Sequence, residues 1–175
     1  MKIQLHTPFD EAAVRALRAG DQVQLSGTVY TGRDAAHKRL VAMLDAGEEL
    51  PVNLDGQAIY FVGPCPAPPG RPIGSAGPTT SGRMDAYSPL LISECGLRAM
   101  IGKGDRNADV RAAMQRYGCV YLAATGGAGA LIAHAVTEAE VVAFPDLGPE
   151  AIYKLELDHL DLVVAIDADG NSLYR

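Results

Sequence analysis

Cysteine is scarce in this chain and poorly spaced for chemistry. The three residues, Cys65, Cys95 and Cys119, stand 30 and 24 positions apart. An odd count at such intervals excludes a complete disulfide framework, and no CxxC pair is present to make a metal knuckle. Histidine is sparse too: His6, His37, His134 and His159 occur singly, without HxxH or HExxH, so no dedicated metal site is expected within the chain. Net charge is −6 and no basic stripe exists, which argues against nucleic acid as a partner. No apolar run approaches the roughly 18 residues of a membrane span. The N-terminal MKIQLHTPFDEAA has no signal-peptide apolar region, so the expected location is cytoplasmic. Also missing are a Ser/His/Asp pattern, a nucleophile elbow and a Walker loop. Thr125 to Gly129 (TGGAG) offers only half a dinucleotide fingerprint, and tight helix–strand packing explains it better.

What is present is an ordinary globule, 48% apolar and 21% charged over 175 residues, expected to fold as a single domain spanning 1–175. One stretch stands out. Gly63 to Met84 holds six of the eleven prolines and five of the nineteen glycines. Proline fixes φ and lacks a donor, so neither helix nor central strand runs through it. Loops this long are uncommon in compact domains and tend to be functional. The segment closes on Thr79-Thr80-Ser81-Gly82-Arg83, hydroxyls and a guanidinium suited to a carboxylate or phosphate. A flexible interdomain linker is the alternative.

Around it, β-prone runs alternate with helical periodicities. Strands are expected at Lys2 to His6, at Asp21 to Tyr30 with a bulge at Gly27, and at Gln57 to Val62. Further strands are expected at Arg98 to Ile101, Cys119 to Ala124, Ala135 to Phe144, Ile152 to Leu157 and Leu162 to Ile166. Helices are expected from an Asp10 cap to Arg18, over Ala35 to Asp45, from about Arg83 to Cys95 with an interruption at Pro89, and from an Asn107 cap to Tyr117. A short helix through Ala133 follows the TGGAG turn. The class is α/β.

Ligands of open α/β sheets gather beyond the carboxyl ends of strands. Three loops there carry cations: Arg33 where a helix begins, Arg83 behind the hydroxyl cluster, and Lys103 between two glycines. A lone Arg or Lys on an α/β surface is usually a solvated charge, a reading that suits Arg33 taken alone better than Lys103, whose flanking glycines are poorly explained by packing, or Arg83 behind its hydroxyls. Together they suit a small molecule with two carboxylates, since Arg grips a carboxylate bidentately and Lys supplies a point charge. Without a strong base or an electrophile, such a site is half a site, and a partner chain is expected to complete it.

TGRDAAH (Thr31 to His37), Gly63-Pro64, GPTTSGRM (Gly77 to Met84) and IGKG (Ile101 to Gly104) resemble the β subunit of class I, iron–sulfur fumarate hydratase. L-tartrate dehydratase shares that subunit design, and the resemblance covers nearly the whole chain. It implies a swivelling β/β/α domain, a mixed sheet with helices packed on it. It implies a hydro-lyase active only with a partner α subunit, in an expected heterotetramer, which holds a [4Fe–4S] cluster with one iron open as a Lewis acid. The family's substrate-binding residues match Arg33, Arg83 and Lys103, its active-site threonine matches Thr79, and Thr80 lies beside it as a hydrogen-bond donor. No cysteine here matches a cluster ligand, and no role transfers to Asp34 or His37. The expected reaction is hydration of fumarate to L-malate. Tartrate dehydration is the alternative, and from another class, a stand-alone dicarboxylate-binding module.

Overall fold

The computed structural model describes residues 2–124 and 129–174. Residues 125–128, most of the TGGAG turn, lie outside the described residues.

Seven strands form one sheet: β1 (Ile3–His6), β2 (Gln22–Thr31), β3 (Ala58–Tyr60), β4 (Ala99–Gly102), β5 (Val120–Ala123), β6 (Val136–Ala143) and β7 (Ile152–Ile166). β1 to β5 run parallel in the order of their numbers. β7 is antiparallel to β5 on one side and to β2 on the other, so the pairings β2–β3–β4–β5–β7–β2 close into a circuit. β1 extends the first half of β2, and β6 lies antiparallel on the first half of β7.

The strand sequences explain the closure. Alternate residues of every strand in the circuit (Val23, Leu25 and Val29; Ala58 and Tyr60; Ala99 and Ile101; Val120 and Leu122; Leu155 to Val164) share one buried core. The opposite residues of β3 to β5 (Ile59, Met100 and Tyr121), with Phe61 just past β3, join a second core under helices. Strands covered on both faces read as continuous apolar runs rather than alternating ones.

Those helices are α2 (Asp34–Asp45), α3 (Ser88–Cys95) and α4 (Ala108–Tyr117), with α1 (Glu11–Arg15) and α5 (Gly129–His134) elsewhere. α2, α3 and α4 contribute Leu40, Leu91, Ile92, Val110 and Met114 to the outer core. The expected caps form: Asp10 accepts from Ala13 N, Asn107 accepts from Val110 N, and Gly96 and Gly118 end their helices left-handed.

Four expectations need correction. The first helix ends at Arg15, not Arg18. Pro89 interrupts nothing: a 3-10 turn covers Ser81–Met84, and α3 starts at Ser88 with Pro89 in its first turn, where a missing N–H costs nothing. The two C-terminal runs are one 15-residue strand, β7. The irregularity expected at Gly27 is there, yet the additional residue is on β7. Leu25 faces Leu160 and Gly27 faces Leu157, so two steps along β2 match three along β7. His159, at φ 55°, absorbs the difference. That extra residue keeps Leu155 and Leu157 on the same inner face as Leu160, Leu162 and Val164, although their spacing changes phase between them.

The proline segment packs on this framework. Tyr60 donates its hydroxyl proton to Ala76 O, Cys65 N and Gly74 N close the loop on Ser75 O and Cys65 O, and Ile73 and Ala76 are buried. The flexible-linker alternative does not describe a segment so anchored. No helix among the described residues is long and apolar enough to cross a membrane.

Candidate functional site

Backbone hydrogen bonds stitch three loops together beyond the carboxyl ends of β2, β3 and β4. Gly32 N donates to Tyr60 O at 3.0 Å, tying the β2–α2 turn to the end of β3. Thr79 N donates to Phe61 O at 2.7 Å, and Ser81 N to Lys103 O at 2.9 Å. Thr80 and Lys103 form an isolated parallel bridge. The far end of the proline segment is thus laid as an extra strand-like rung against the Lys103 turn. Arg33, Thr79, Thr80, Arg83 and Lys103 come to the same end of the molecule through these bonds.

Each cation is held differently. Arg33 is the N-cap of α2 with an extended backbone and a half-buried side chain. That side chain lies across Gly63: a Cβ there would stand 3.1 Å from Arg33 Cδ and 3.3 Å from Nη1. The first glycine of the proline segment therefore makes room for the guanidinium. Arg33 Nε is buried and has no partner among the described residues. Lys103 is exposed. Neither Arg33 nor Lys103 joins an ion pair among the described residues. Arg83 does: its Nε and Nη2 donate to Asp34 Oδ2 at 3.0 and 2.7 Å. Thr79 is half-buried and Thr80 exposed.

Two buried networks underlie these loops. Arg106, three residues after Lys103, has a fully buried side chain whose Nε donates to Asp85 Oδ1 at 2.6 Å. Its Nη2 donates to Ser88 Oγ at 2.7 Å, and its guanidinium carbon lies 5.1 and 5.3 Å from the Phe61 and Tyr121 ring centres. Asp85 Oδ2 accepts from Asn107 N at 3.0 Å. The pair therefore clamps the segment carrying Arg83 to the segment carrying Lys103. In the second network, Tyr121 donates to Gly104 O, and Ser81 Oγ bonds the same phenol, both at 2.7 Å. Burial pushes the Tyr121 hydroxyl well above the ordinary phenol range, so it stays protonated as a structural donor.

His37, on the buried stripe of α2, bonds Arg33 O through Nδ1 at 2.8 Å and packs edge-on against Phe61. Burial depresses its pKa from 6.5 to about 4, against the opposing pull of the Arg33 carbonyl, so the ring is neutral at pH 7. Its Nδ1 accordingly carries the proton and steadies the turn that presents Arg33.

Asp34, Asp85, Arg106 and Tyr121 were not foreseen. Asp34 sits inside the TGRDAAH stretch and Arg106 follows IGKGD directly, so proximity to a motif was the available signal. Their partners lie 49 and 21 residues away, beyond any local pattern.

The cysteines do not gather. Cys65 is exposed, Cys95 half-buried and Cys119 buried, and burial pushes the Cys119 thiol up to about 12. Among the described residues no group of three His, Cys, Asp or Glu could hold a metal ion.

A family model described as "Fumarase C-terminus" matches residues 1–175. The chain is 39% identical over 178 residues to the anaerobic class I fumarate hydratase of Escherichia coli, covering all of this chain and 32% of that protein. It is 36% identical to fumarate hydratase 2 of Leishmania major, over 99% of this chain and 31% of that protein. A Methanocaldococcus jannaschii protein, provisionally named L(+)-tartrate dehydratase subunit beta, is 40% identical over 93% of this chain and 86% of its own length. The chain thus spans about a third of the fumarate hydratases it matches, and most of the Methanocaldococcus protein.

Proposed function

The chain belongs to the Fumarase C-terminus family, and from that premise we propose that it is the carboxylate-gripping part of a hydro-lyase that hydrates fumarate reversibly to L-malate. On this reading it is one domain, the β subunit of a heteromer or its equivalent in a fused enzyme. It works in the cytoplasm, with a cluster-bearing α partner completing the site. Arg33, Arg83 and Lys103 bind the two carboxylates, Thr80 donates a hydrogen bond, and Thr79 takes part in proton transfer beside a carboxylate.

The observation that carries the reading is the backbone stitching, Gly32 N to Tyr60 O, Thr79 N to Phe61 O and Ser81 N to Lys103 O, which brings three cation-bearing loops to one end of the strands. Ligands in α/β proteins bind there, and donors fixed by backbone bonds are oriented before a substrate arrives. Adding water across a double bond conjugated to carboxylates passes through an aci-carboxylate with extra negative charge. Pre-placed cations stabilise that charge more than the ground state.

The [4Fe–4S] cluster belongs with the partner. Cys119 is buried and inert, and the other two cysteines lack company, so this chain's residues do not fit a cluster. The swivel of this domain against the partner is part of the same proposal.

A second reading, dehydration of L-tartrate to oxaloacetate, is favoured by the Methanocaldococcus relative, which matches over most of its length under a subunit name. One experiment separates them: an anaerobic pull-down with this chain, then assays of fumarate hydration and tartrate dehydration on the eluate. Co-elution of a brown partner with turnover of fumarate is the expected result. Turnover of tartrate alone selects the second reading. A colourless, inert chain that still binds dicarboxylates replaces both with a binding module.

A further inference from the structure

From the ion pair at the mouth of the site we infer that Asp34 is a positioning residue for Arg83, setting which edge of its guanidinium meets the substrate. This rests on the reading of Arg83 as a carboxylate binder. A guanidinium has five N–H donors, one on Nε and two on each terminal nitrogen. Asp34 Oδ2 alone accepts from both Nε and Nη2, and Arg83 makes no other hydrogen bond among the described residues. Two protons on Nη1 and one on Nη2 remain. The Nη2 proton and one of the Nη1 protons form the terminal fork, an edge that grips a carboxylate bidentately.

Asp34 suits the task by its place in the fold. It is the first residue of α2, so its backbone is set by the helix, and its Oδ1 is buried without a partner among the described residues. It directly follows Arg33. One carboxylate therefore holds the long side chain of Arg83 against the start of α2, one residue after Arg33. Arg83 would otherwise sample many rotamers, since its side chain is 51% exposed. An ion pair this exposed contributes little to stability, so folding alone does not account for it. Holding the fork in place beforehand removes an ordering cost from binding and from the transition state.

The test uses the active enzyme, this chain assembled with its partner. Steady-state kinetics are measured for Asp34→Asn, Arg83→Lys, the double variant and Arg83→Ala, alongside melting temperatures. Asp34→Asn keeps the shape and removes the charge. It is expected to lower kcat/KM about thirtyfold, with the melting temperature within about 2 °C of wild type. In the Arg83→Lys background the same change is expected to cost less than about threefold, because Lys has no fork left to aim. Losses that multiply in the double variant would show that Asp34 acts independently of Arg83 and overturn the inference. So would wild-type kinetics for Asp34→Asn when Arg83→Ala loses more than about a hundredfold. If Arg83→Ala itself stays within about threefold of wild type, Arg83 leaves the site and the parent reading fails, an outcome distinct from the other two.

Discussion

Replacing Arg106 by Ala probes the clamp beneath the site. The side chain is fully buried and its partner Asp85 is 14% exposed, so truncation leaves a carboxylate with little water to stabilise it. Breaking a buried pair in this way costs about 3–5 kcal/mol. For a chain of this size each kcal/mol lowers the melting temperature by about 2–4 °C, so a fall of roughly 6–20 °C is expected. Thermal melts followed by circular dichroism measure it. Lost contacts with Met100 sulfur, Phe61 and Tyr121 act in the same direction and favour the upper half of that range. The control is Arg106→Met with Asp85→Leu, which removes both charges and should be more stable than Arg106→Met alone. A melting temperature for Arg106→Ala within about 2 °C of wild type, or a double variant worse than the single, would refute the reasoning.

Three further outcomes are expected. His37 is buried neutral with its pKa lowered from 6.5 to about 4, so unfolding takes up a proton between those values, and stability falls as pH drops from about 6.5 to about 4. The loss reaches about 2 kcal/mol at pH 5. Urea titrations at pH 7 and pH 5 should show it in wild type and not in His37→Gln, and equal slopes for the two proteins would remove His37 as its source. A methyl group on Gly102 would overlap Ser81 Oγ and stand 2.9 Å from Phe61 Cδ2. Gly102→Ala should therefore cost about 1–3 kcal/mol in a urea midpoint, and a neutral result would mean that the Lys103 loop gives way freely. Cys65 is exposed whereas the Cys119 thiol is buried and pushed up to about 12, so iodoacetamide at pH 8 should alkylate Cys65 first and Cys119 only after denaturation. Early labelling of Cys119, read by peptide mass, would contradict the buried β5 entrance.

Local features were readable in the chain. Asp10, Asn107, Gly96 and Gly118 punctuate helices through chemistry within a few residues of themselves, and a sequence displays that directly. The strand β7 was not, because its inward residues change phase at Asp158–His159 and a strand is recognised by constant phase. Only the opposing strand β2 shows that an extra residue restores the inner face. The site divides along the same line. Arg33, Arg83 and Lys103 stand out beside glycines and hydroxyls in loops. The groups that hold them, Asp34, Asp85 and Arg106, are ordinary surface-type residues until the fold supplies partners. Their number in the chain says nothing about charge pairing.

The closed circuit bears on how the protein is made. β2 is synthesised well before the strand that closes on it, β7, which pairs Lys154 with Tyr30 and Val163 with Gln22. More than 120 residues separate them. At about 5–20 residues per second, a ribosome needs roughly 6–25 s to supply the second after the first. Through that interval Val23, Leu25 and Val29 lack the neighbour that covers them. Pairings this distant also fold slowly once both halves exist. The nascent chain thus exposes an apolar strand of the kind that holding chaperones bind, and a polar substitution on the inner face of β2 should reduce soluble yield in the cell.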